Sequence, residues 1–326
     1  MTADRFADRP RPPVLVITGP TASGKSGFAL AVARAYDGTV INADSMQVYR
    51  DLRVLSDRPT PEVEAAVPHR LYGVLPACDP CTAQRWRGWA IAEVDAAHAQ
   101  GRLPILVGGT GLYLRAFLQG LAPVPDVPEA IRRGVRRLQH EAGPEGLNRA
   151  LTREDPAMAA RLNPDDGQRQ ARALEVVRAT GRSLADWQAE VHPASTAYDV
   201  LTLGALPPRA PLYRQIDARL AWMAEHGGLA EVQGLLDQDL PADLPAMKAV
   251  GVPQLARYLR GEASYQEALA TAQQATRQFA KRQLTWLRTQ TPKDADKAAV
   301  VHAQFSKSAQ ALLFNEIREF ILTTQP

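Results

Sequence analysis

The sequence predicts an α/β protein in which a parallel β-sheet is flanked by helices and interrupted by a helical insertion. Three observations favour this class. Short apolar runs rich in β-branched residues alternate with stretches of helical length, and each run is followed by glycine or a polar residue. A proline-rich break then separates this pattern from a charge-rich stretch. Strands of a parallel sheet are covered on both faces, which explains why they are continuously apolar.

The individual elements follow from where apolar runs begin and end. We expect strands at residues 14–18, 39–43, 103–107 and 198–203, and helices at 25–36 and 85–100. Ligands of parallel sheets gather outside the carboxyl ends of the strands. Gly19, Asp44 and Thr110 each follow one of these strands, so we expect them to share one crevice.

The proposed insertion begins after three closely spaced prolines, Pro123, Pro125 and Pro128. The chain that follows is rich in charge and helical in pattern, with breaks at Gly143-Pro144 and Asn163-Pro164. We therefore divide the chain into a first core part at 1–124, an insertion at 125–190, and a second core part with C-terminal helices at 191–326.

Composition narrows the class of protein. The 326 residues are 45% hydrophobic, enough for a full core, and the net charge of +3 is too small to establish a polyanionic partner. The N-terminal segment has no apolar run behind its charges, so we expect a cytoplasmic protein without a membrane anchor. Cys78 and Cys81 form a lone CxxC, which favours two reduced thiols over a metal site.

A glycine-rich loop, GPTASGKS, follows the first strand and precedes the first helix. In this pattern the glycines let backbone N–H groups surround phosphates, the lysine adds charge, and the serine hydroxyl can bind Mg²⁺. The context predicts a P-loop-type core. The predicted diphosphate-binding residues are Gly19, Pro20, Thr21, Ala22, Ser23, Gly24, Lys25 and Ser26, with Ser26 as the Mg²⁺ ligand.

Two features bear on which diphosphate the loop holds. An NTPase needs an apolar strand that ends in aspartate, but the matching strand here, LPILVGGTG, ends in glycines and a threonine. This disfavours an ATPase without excluding a small-molecule kinase. Asp44 can accept a proton from a nucleophile beside the diphosphate, or it can cap the next helix; position alone does not separate these two interpretations.

Several further motifs resemble one family closely. They are NADSMQVY at 42–49, LVGGTGLYLRA at 106–116, RLNPDDGQRQARALEVVRATGRSL at 161–184, PLYRQIDARLAWM at 211–223, PAMKAVG at 245–251 and TRQFAKRQLTWLR at 276–288. Together with the glycine-rich loop, and in this order, they are similar to the tRNA dimethylallyltransferases, also called tRNA isopentenyltransferases. The resemblance extends from about Val14 to Gln290.

The resemblance implies a reaction and a set of roles. The loop would hold dimethylallyl diphosphate with Mg²⁺, and the prenyl group would pass to the exocyclic amine of the adenine beside the anticodon of tRNA. Asp44 would be the general base, while Thr110 and Arg219 would contact the leaving diphosphate. Such an adenine must flip out of its stack to react. The resemblance places tRNA contacts at Asp44, Ser45, Met46, Gln47, Thr110, Arg132, Gln168, Arg169, Gln170, Ala171 and Arg172. Helical spacing puts Arg277 and Lys281 near one basic face with Arg282 beside them, and next to such a crevice we expect these residues, together with Lys248, to contact tRNA phosphates. We expect a monomer.

Alternatives remain for some of these residues. Arg219 could form a surface ion pair with Asp217 on its own helix, and the basic face of residues 276–288 could simply be solvated. Asp165 and Asp166 could cap the helix that begins near Gln168.

The sequence also departs from the family pattern at 54–59, 81–90 and Val252. Prenyl transfer to a free adenine nucleotide, and a P-loop kinase or tRNA-binding NTPase, are the competing functions.

Overall fold

The computed structural model describes residues 10–190, 197–290 and 298–323. Six parallel strands form one sheet in the order β3-β2-β4-β1-β5-β6. The strands are β1 Pro13–Thr18, β2 Gly38–Asn42, β3 His69–Arg70, β4 Leu103–Gly108, β5 Asp199–Ala205 and β6 Ala298–Val301. Helices flank this sheet, which confirms the predicted class.

Thirteen α-helices are found in the described residues. They are α1 Lys25–Tyr36, α2 Pro61–Ala66, α3 Ala83–Ala99, α4 Gly111–Gln119, α5 Glu129–Glu154, α6 Pro156–Arg161, α7 Gly167–Thr180, α8 Leu184–Ala189, α9 Arg209–Met223, α10 Leu229–Leu236, α11 Val252–Leu259, α12 Tyr265–Gln290 and α13 Lys307–Thr323. Among the described residues, no helix combines the length and the apolar character needed to cross a membrane.

The chain divides into two compact units. One consists of Met1–Phe117 with Ser195–Pro326 and contains all six strands, and the other is Leu118–Ala194. The insertion predicted at 125–190 lies within the second unit.

The first unit is built around the central strand β1. Its residues Val14 to Ile17 are completely buried, as are Phe28 and Val32 of α1, because helices cover both faces of the sheet. In the sheet order β2, β4 and β1 are neighbours, so the loops that follow these three strands emerge side by side at one edge.

The second unit is a small helical unit with its own core. Val135, Leu147, Leu151 and Leu174 are completely buried in it. Buried Asp155 caps α6 by accepting a hydrogen bond from the Met158 N–H at 3.1 Å, and it also accepts one from the Ser183 hydroxyl at 2.8 Å. Both bonds join separate helices to the end of α5. The break predicted at Gly143-Pro144 is present as a kink inside α5, where Gly143 has φ +61°.

The segment after β6 returns to the glycine-rich loop. The Phe305 N–H donates to the Ser23 carbonyl at 2.9 Å, and the Phe305 ring stacks on Phe28 of α1 with centroids 4.9 Å apart. Residues near the end of the described chain therefore support the loop near its start.

Candidate active site

The glycine-rich loop connects β1 to α1 at the edge where the three loops meet. Ala22 and Gly24 adopt left-handed backbone angles, with φ +62° and +83°. The left-handed region is strained for a residue with a Cβ, so the loop conformation is held by its surroundings at Ala22. Thr21, Lys25 and Ser26 line a cavity of about 270 Å³.

Lys25 is partly buried and lines this cavity. Its ammonium donates to the Pro20 carbonyl at 3.4 Å. Burial lowers the pKa of Lys25 from its usual value, the Asp44 carboxylate opposes this shift, and the Arg219 guanidinium adds to it. A bound anion would raise the pKa of Lys25 again by favouring its charged form, so the site favours a ligand with negative charge.

Asp44 lies at the carboxyl end of β2 and also lines the cavity. Buried Asn42 holds its backbone by accepting from the Asp44 N–H at 2.8 Å and donating to the Asp44 carbonyl at 3.0 Å. Asp44 Oδ1 accepts from the Met46 N–H at 2.9 Å. Within the described chain, its other oxygen accepts no hydrogen bond. The residues after Asp44 form a turn and not a helix, so the helix-cap interpretation is wrong.

Thr110 contacts Ser45, the residue that follows Asp44. Its hydroxyl accepts from the Ser45 N–H at 3.0 Å and donates to the Ser45 hydroxyl at 3.3 Å. Thr110 is not among the side chains that line the cavity, whereas Ser45 is. The observed role of Thr110 is therefore to hold the segment that carries the carboxylate, and its contact with a leaving diphosphate stays a prediction.

Arg219 projects from α9 into the same cavity. Its Nη1 lies 2.5 Å from Asp57 Oδ2, and its Nη2 donates to the Thr21 hydroxyl of the glycine-rich loop. Asp217 instead pairs with Arg277 of α12 at 2.6 Å. The alternative in which Arg219 pairs with Asp217 on its own helix is thus wrong, because the two side chains contact different partners.

Three contacts at the site are not indicated by the sequence. Buried Gln283 of α12 accepts from the Thr21 N–H and donates to the Gly109 carbonyl. Asp57, which departs from the family pattern, pairs with Arg219. Glu231 of α10 accepts hydrogen bonds from three consecutive backbone N–H groups, at residues 53–55, with distances of 2.6–3.0 Å. All three contacts join residues far apart in the sequence, so no local pattern reveals them.

The predicted nucleic-acid contacts of the first unit fall into two groups. Ser45, Met46, Gln47, Lys248 and Arg282 line the cavity. Of these, Gln47 is buried and donates to two carbonyls of the 54–59 segment at 2.9 Å each. Exposed Lys281 and paired Arg277 lie outside the cavity lining.

The Arg282 guanidinium is 5.8 Å from the centre of the Phe279 ring, which also lines the cavity. A planar cation over an aromatic ring is a surface on which a base or phosphate can be held.

Five of the six predicted contacts of the second unit, Gln168 to Arg172, lie in the first turns of α7, and the sixth, Arg132, lies in α5. Asp166 caps this helix by accepting from the Arg169 N–H at 3.2 Å, as the sequence suggested. Gln170 is completely buried and donates to the carbonyls of Asn163 and Pro164, so it holds the start of α7, and its contact with tRNA stays a prediction. The remaining predicted contacts are exposed Gln168 and Arg169, partly buried Ala171, exposed Arg172, and Arg132, whose Nε is buried without a hydrogen-bond partner.

The side-chain oxygen atoms that line the cavity suit a hard metal cation that the protein binds only weakly. In the described part of the chain, no cluster of three or more His, Cys, Asp or Glu side chains could bind a metal ion. Ser26, the predicted Mg²⁺ ligand, nevertheless lines the cavity. Mg²⁺ is commonly bound through one or two protein oxygens, substrate phosphates and water, so a serine hydroxyl beside a bound diphosphate fits it.

Comparison with known proteins identifies the family. A family model described as IPP transferase matches residues 47–290. The tRNA dimethylallyltransferase of Rhodospirillum rubrum is 52% identical over 322 residues, which is 98% of either chain. That of Granulibacter bethesdensis is 48% identical and covers 94% of this chain and 98% of its own.

Solved structures agree with this assignment. The full-length tRNA isopentenylpyrophosphate transferase from Bacillus halodurans matches with a TM-score of 0.68 and 29% identity, covering 96% of this chain and 97% of that one. A eukaryotic dimethylallyltransferase acting on tRNA matches with a TM-score of 0.79 over 97% of this chain and 80% of its own, and at 23% identity it supports the fold alone. As the motifs predicted, the chain belongs to the IPP transferase family of enzymes.

Proposed function

We propose that this enzyme transfers a dimethylallyl group from dimethylallyl diphosphate to the N6 amine of the adenine adjacent to the tRNA anticodon. One observation carries the proposal: a single cavity is lined by the phosphate-type loop with Lys25, by Arg219, and by the carboxylate of Asp44. A leaving group that needs positive charge and a nucleophile that must lose a proton would meet there. The relatives named tRNA dimethylallyltransferase support the same reaction.

The diphosphate half of the cavity stabilises the leaving group. The lone pair of N6 attacks the allylic carbon, the carbon–oxygen bond breaks, and diphosphate leaves with the bonding electrons. Positive charge on the allylic carbon is delocalised, so the main requirement is to stabilise the anion. Lys25, Arg219 and the loop N–H groups provide this. Mg²⁺, held by Ser26 and the phosphates, would supply further charge neutralisation.

The acceptor half of the cavity activates the amine. The N6 lone pair is drawn into the purine ring, so the amine is a poor nucleophile until its proton is removed. The Met46 N–H orients one oxygen of Asp44, and the other oxygen can accept that proton. Adenine must leave its stack to reach the carboxylate, and Ser45 and Met46 line the wall that it would contact.

The partners are a tRNA anticodon stem-loop and dimethylallyl diphosphate. Lys248 and Arg282 at the cavity, and Arg169 and Arg172 at the start of α7, offer cations to the phosphate backbone. We further propose that the enzyme acts in the cytoplasm as a monomer.

The test is direct. Purified protein is incubated with Mg²⁺, dimethylallyl diphosphate and unmodified tRNA, and the digested nucleosides are examined by mass. The expected product is prenylated adenosine, which is absent when Asp44→Asn replaces the wild type. Phosphate release from ATP without prenyl transfer would instead identify an NTPase or kinase. Equal activity on free AMP would identify a nucleotide prenyltransferase.

A further inference from the structure

We propose that Gln283 is a positioning residue that ties the diphosphate half of the active site to the half that carries the general base. This inference deepens the proposed prenyl transfer and rests on it. The side chain acts through the two loops that it joins and does not contact the substrate.

Gln283 makes two long-range hydrogen bonds with opposite polarity. Its Oε1 accepts from the Thr21 N–H at 2.9 Å, and its Nε2 donates to the Gly109 carbonyl at 3.0 Å. The residue is 7% exposed, so water does not readily replace either bond. One amide group therefore satisfies a donor of one loop and an acceptor of the other.

The space between the two loops is shaped for this amide. A Cβ atom added at Gly109 would lie 2.2 Å from Gln283 Nε2 and 2.9 Å from the Gly19 carbonyl oxygen. No side chain at position 109 is compatible with the bridge. The close approach of the two loops and the position of the Gln283 amide between them therefore depend on each other.

Each end of the bridge leads to a residue with a proposed role in the reaction. On one side, the Thr21 hydroxyl accepts a hydrogen bond from Arg219. On the other side, Thr110 follows Gly109 and binds the backbone N–H of Ser45, the residue after Asp44. Loss of the bridge would let the diphosphate and the carboxylate shift relative to one another. Displacements of about 1 Å in an active site can reduce rates by about 100-fold.

Gln283→Glu gives a test with a distinctive pH signature. A protonated glutamic acid can still accept from Thr21 and donate to Gly109, whereas the carboxylate can only accept and would face the Gly109 carbonyl. Burial raises the pKa of such an acid. The ratio of variant to wild-type dissociation constants for inorganic diphosphate with Mg²⁺ is therefore expected to be near one at acidic pH. It should rise roughly 5- to 150-fold as the acid ionises, the range for leaving a buried polar group unpaired.

Gln278→Glu is the matched control, since Gln278 is exposed on the same helix. Its ratio should stay flat across the pH range. A flat ratio for Gln283→Glu as well would overturn the proposal.

A second measurement separates positioning from binding. In Gln283→Leu, single-turnover prenyl transfer should fall about 10- to 100-fold with little change in the KM for tRNA. A rate within twofold of the wild type would overturn the proposal, and if this variant does not fold, the Gln283→Glu titration decides. Failure of the wild type to prenylate tRNA would count against the proposed function alone, because the diphosphate titration still tests the bridge.

Discussion

Replacement of Asp44 by asparagine separates the chemical role of the carboxylate from its structural role. The new amide keeps an oxygen that can accept from the Met46 N–H, so the turn after β2 should persist. The substitution removes only the ability to take a proton and the negative charge. Asp51→Asn is the matched control, because Asp51 holds the Ala77 N–H at 2.8 Å with no role in the proposed reaction.

Two magnitudes follow from the geometry. Loss of a positioned general base reduces the rate by about 10² to 10⁴, or about 3 to 5 kcal/mol in the activation barrier. The second effect concerns Lys25, whose pKa is lowered by burial and raised by Asp44. Without the carboxylate, the pKa of Lys25 falls further. In the proposed mechanism the charge of Lys25 attracts the diphosphate, so diphosphate binding should weaken at a lower pH in the variant than in the wild type.

Two assays test these effects separately. Single-turnover prenyl transfer with saturating tRNA gives the rate of the chemical step. Titration with inorganic diphosphate over a range of pH gives the pH above which diphosphate binding weakens. A variant rate within tenfold of the wild type would refute the general-base assignment. A higher KM for tRNA with an unchanged rate would show that Asp44 binds the substrate and does not activate it.

Three further predictions concern the diphosphate site and the fold. In Lys25→Arg, the alkaline loss of diphosphate binding should disappear, because burial lowers the pKa of lysine but a guanidinium keeps its charge; a titration curve that matches the wild type would contradict this. Glu231→Ala should lower the free energy of unfolding by about 1 to 3 kcal/mol, since it leaves three backbone N–H groups without their acceptor, and an unchanged urea midpoint would argue against this. Gly108→Ala should lower the free energy of unfolding by about 1 to 3 kcal/mol, because the new Cβ would lie 2.1 Å from a backbone carbonyl oxygen. Gly88→Ala, in α3, should raise the free energy of unfolding by up to about 1 kcal/mol, because no atom lies within 4 Å of the added Cβ. Equal effects of the two substitutions would refute the packing argument.

The elements that sequence predicts well are those whose determinants are local. The apolar run of β1, the glycine-rich loop and α1 follow one another within 24 residues, and all three are found as expected. Asp44 lies at the same crevice as the loop, as expected, because parallel strands present their carboxyl ends at one edge.

The elements that sequence does not predict depend on distant partners. The two-residue strand β3 is too short to have a periodic pattern, and β6 lies in a region expected to be mostly helical. Gln283 contacts Thr21 across 262 positions, and Arg219 contacts Asp57 across 162. Such pairs form because α9 and α12 pack against the loops. A single sequence has no local pattern from which that packing can be predicted.

The contact between Phe305 and the glycine-rich loop has a consequence for synthesis on the ribosome. Gln304 and Phe305 contact Ala22 and Ser23, and the first of these pairs spans 282 positions. At about 5 to 20 residues per second, the ribosome adds the supporting segment about 15 to 55 s after the loop itself. The nascent chain therefore contains the glycine-rich loop long before the segment that supports the loop has been made, and the proposed affinity for diphosphate should appear only after residue 305 has been added.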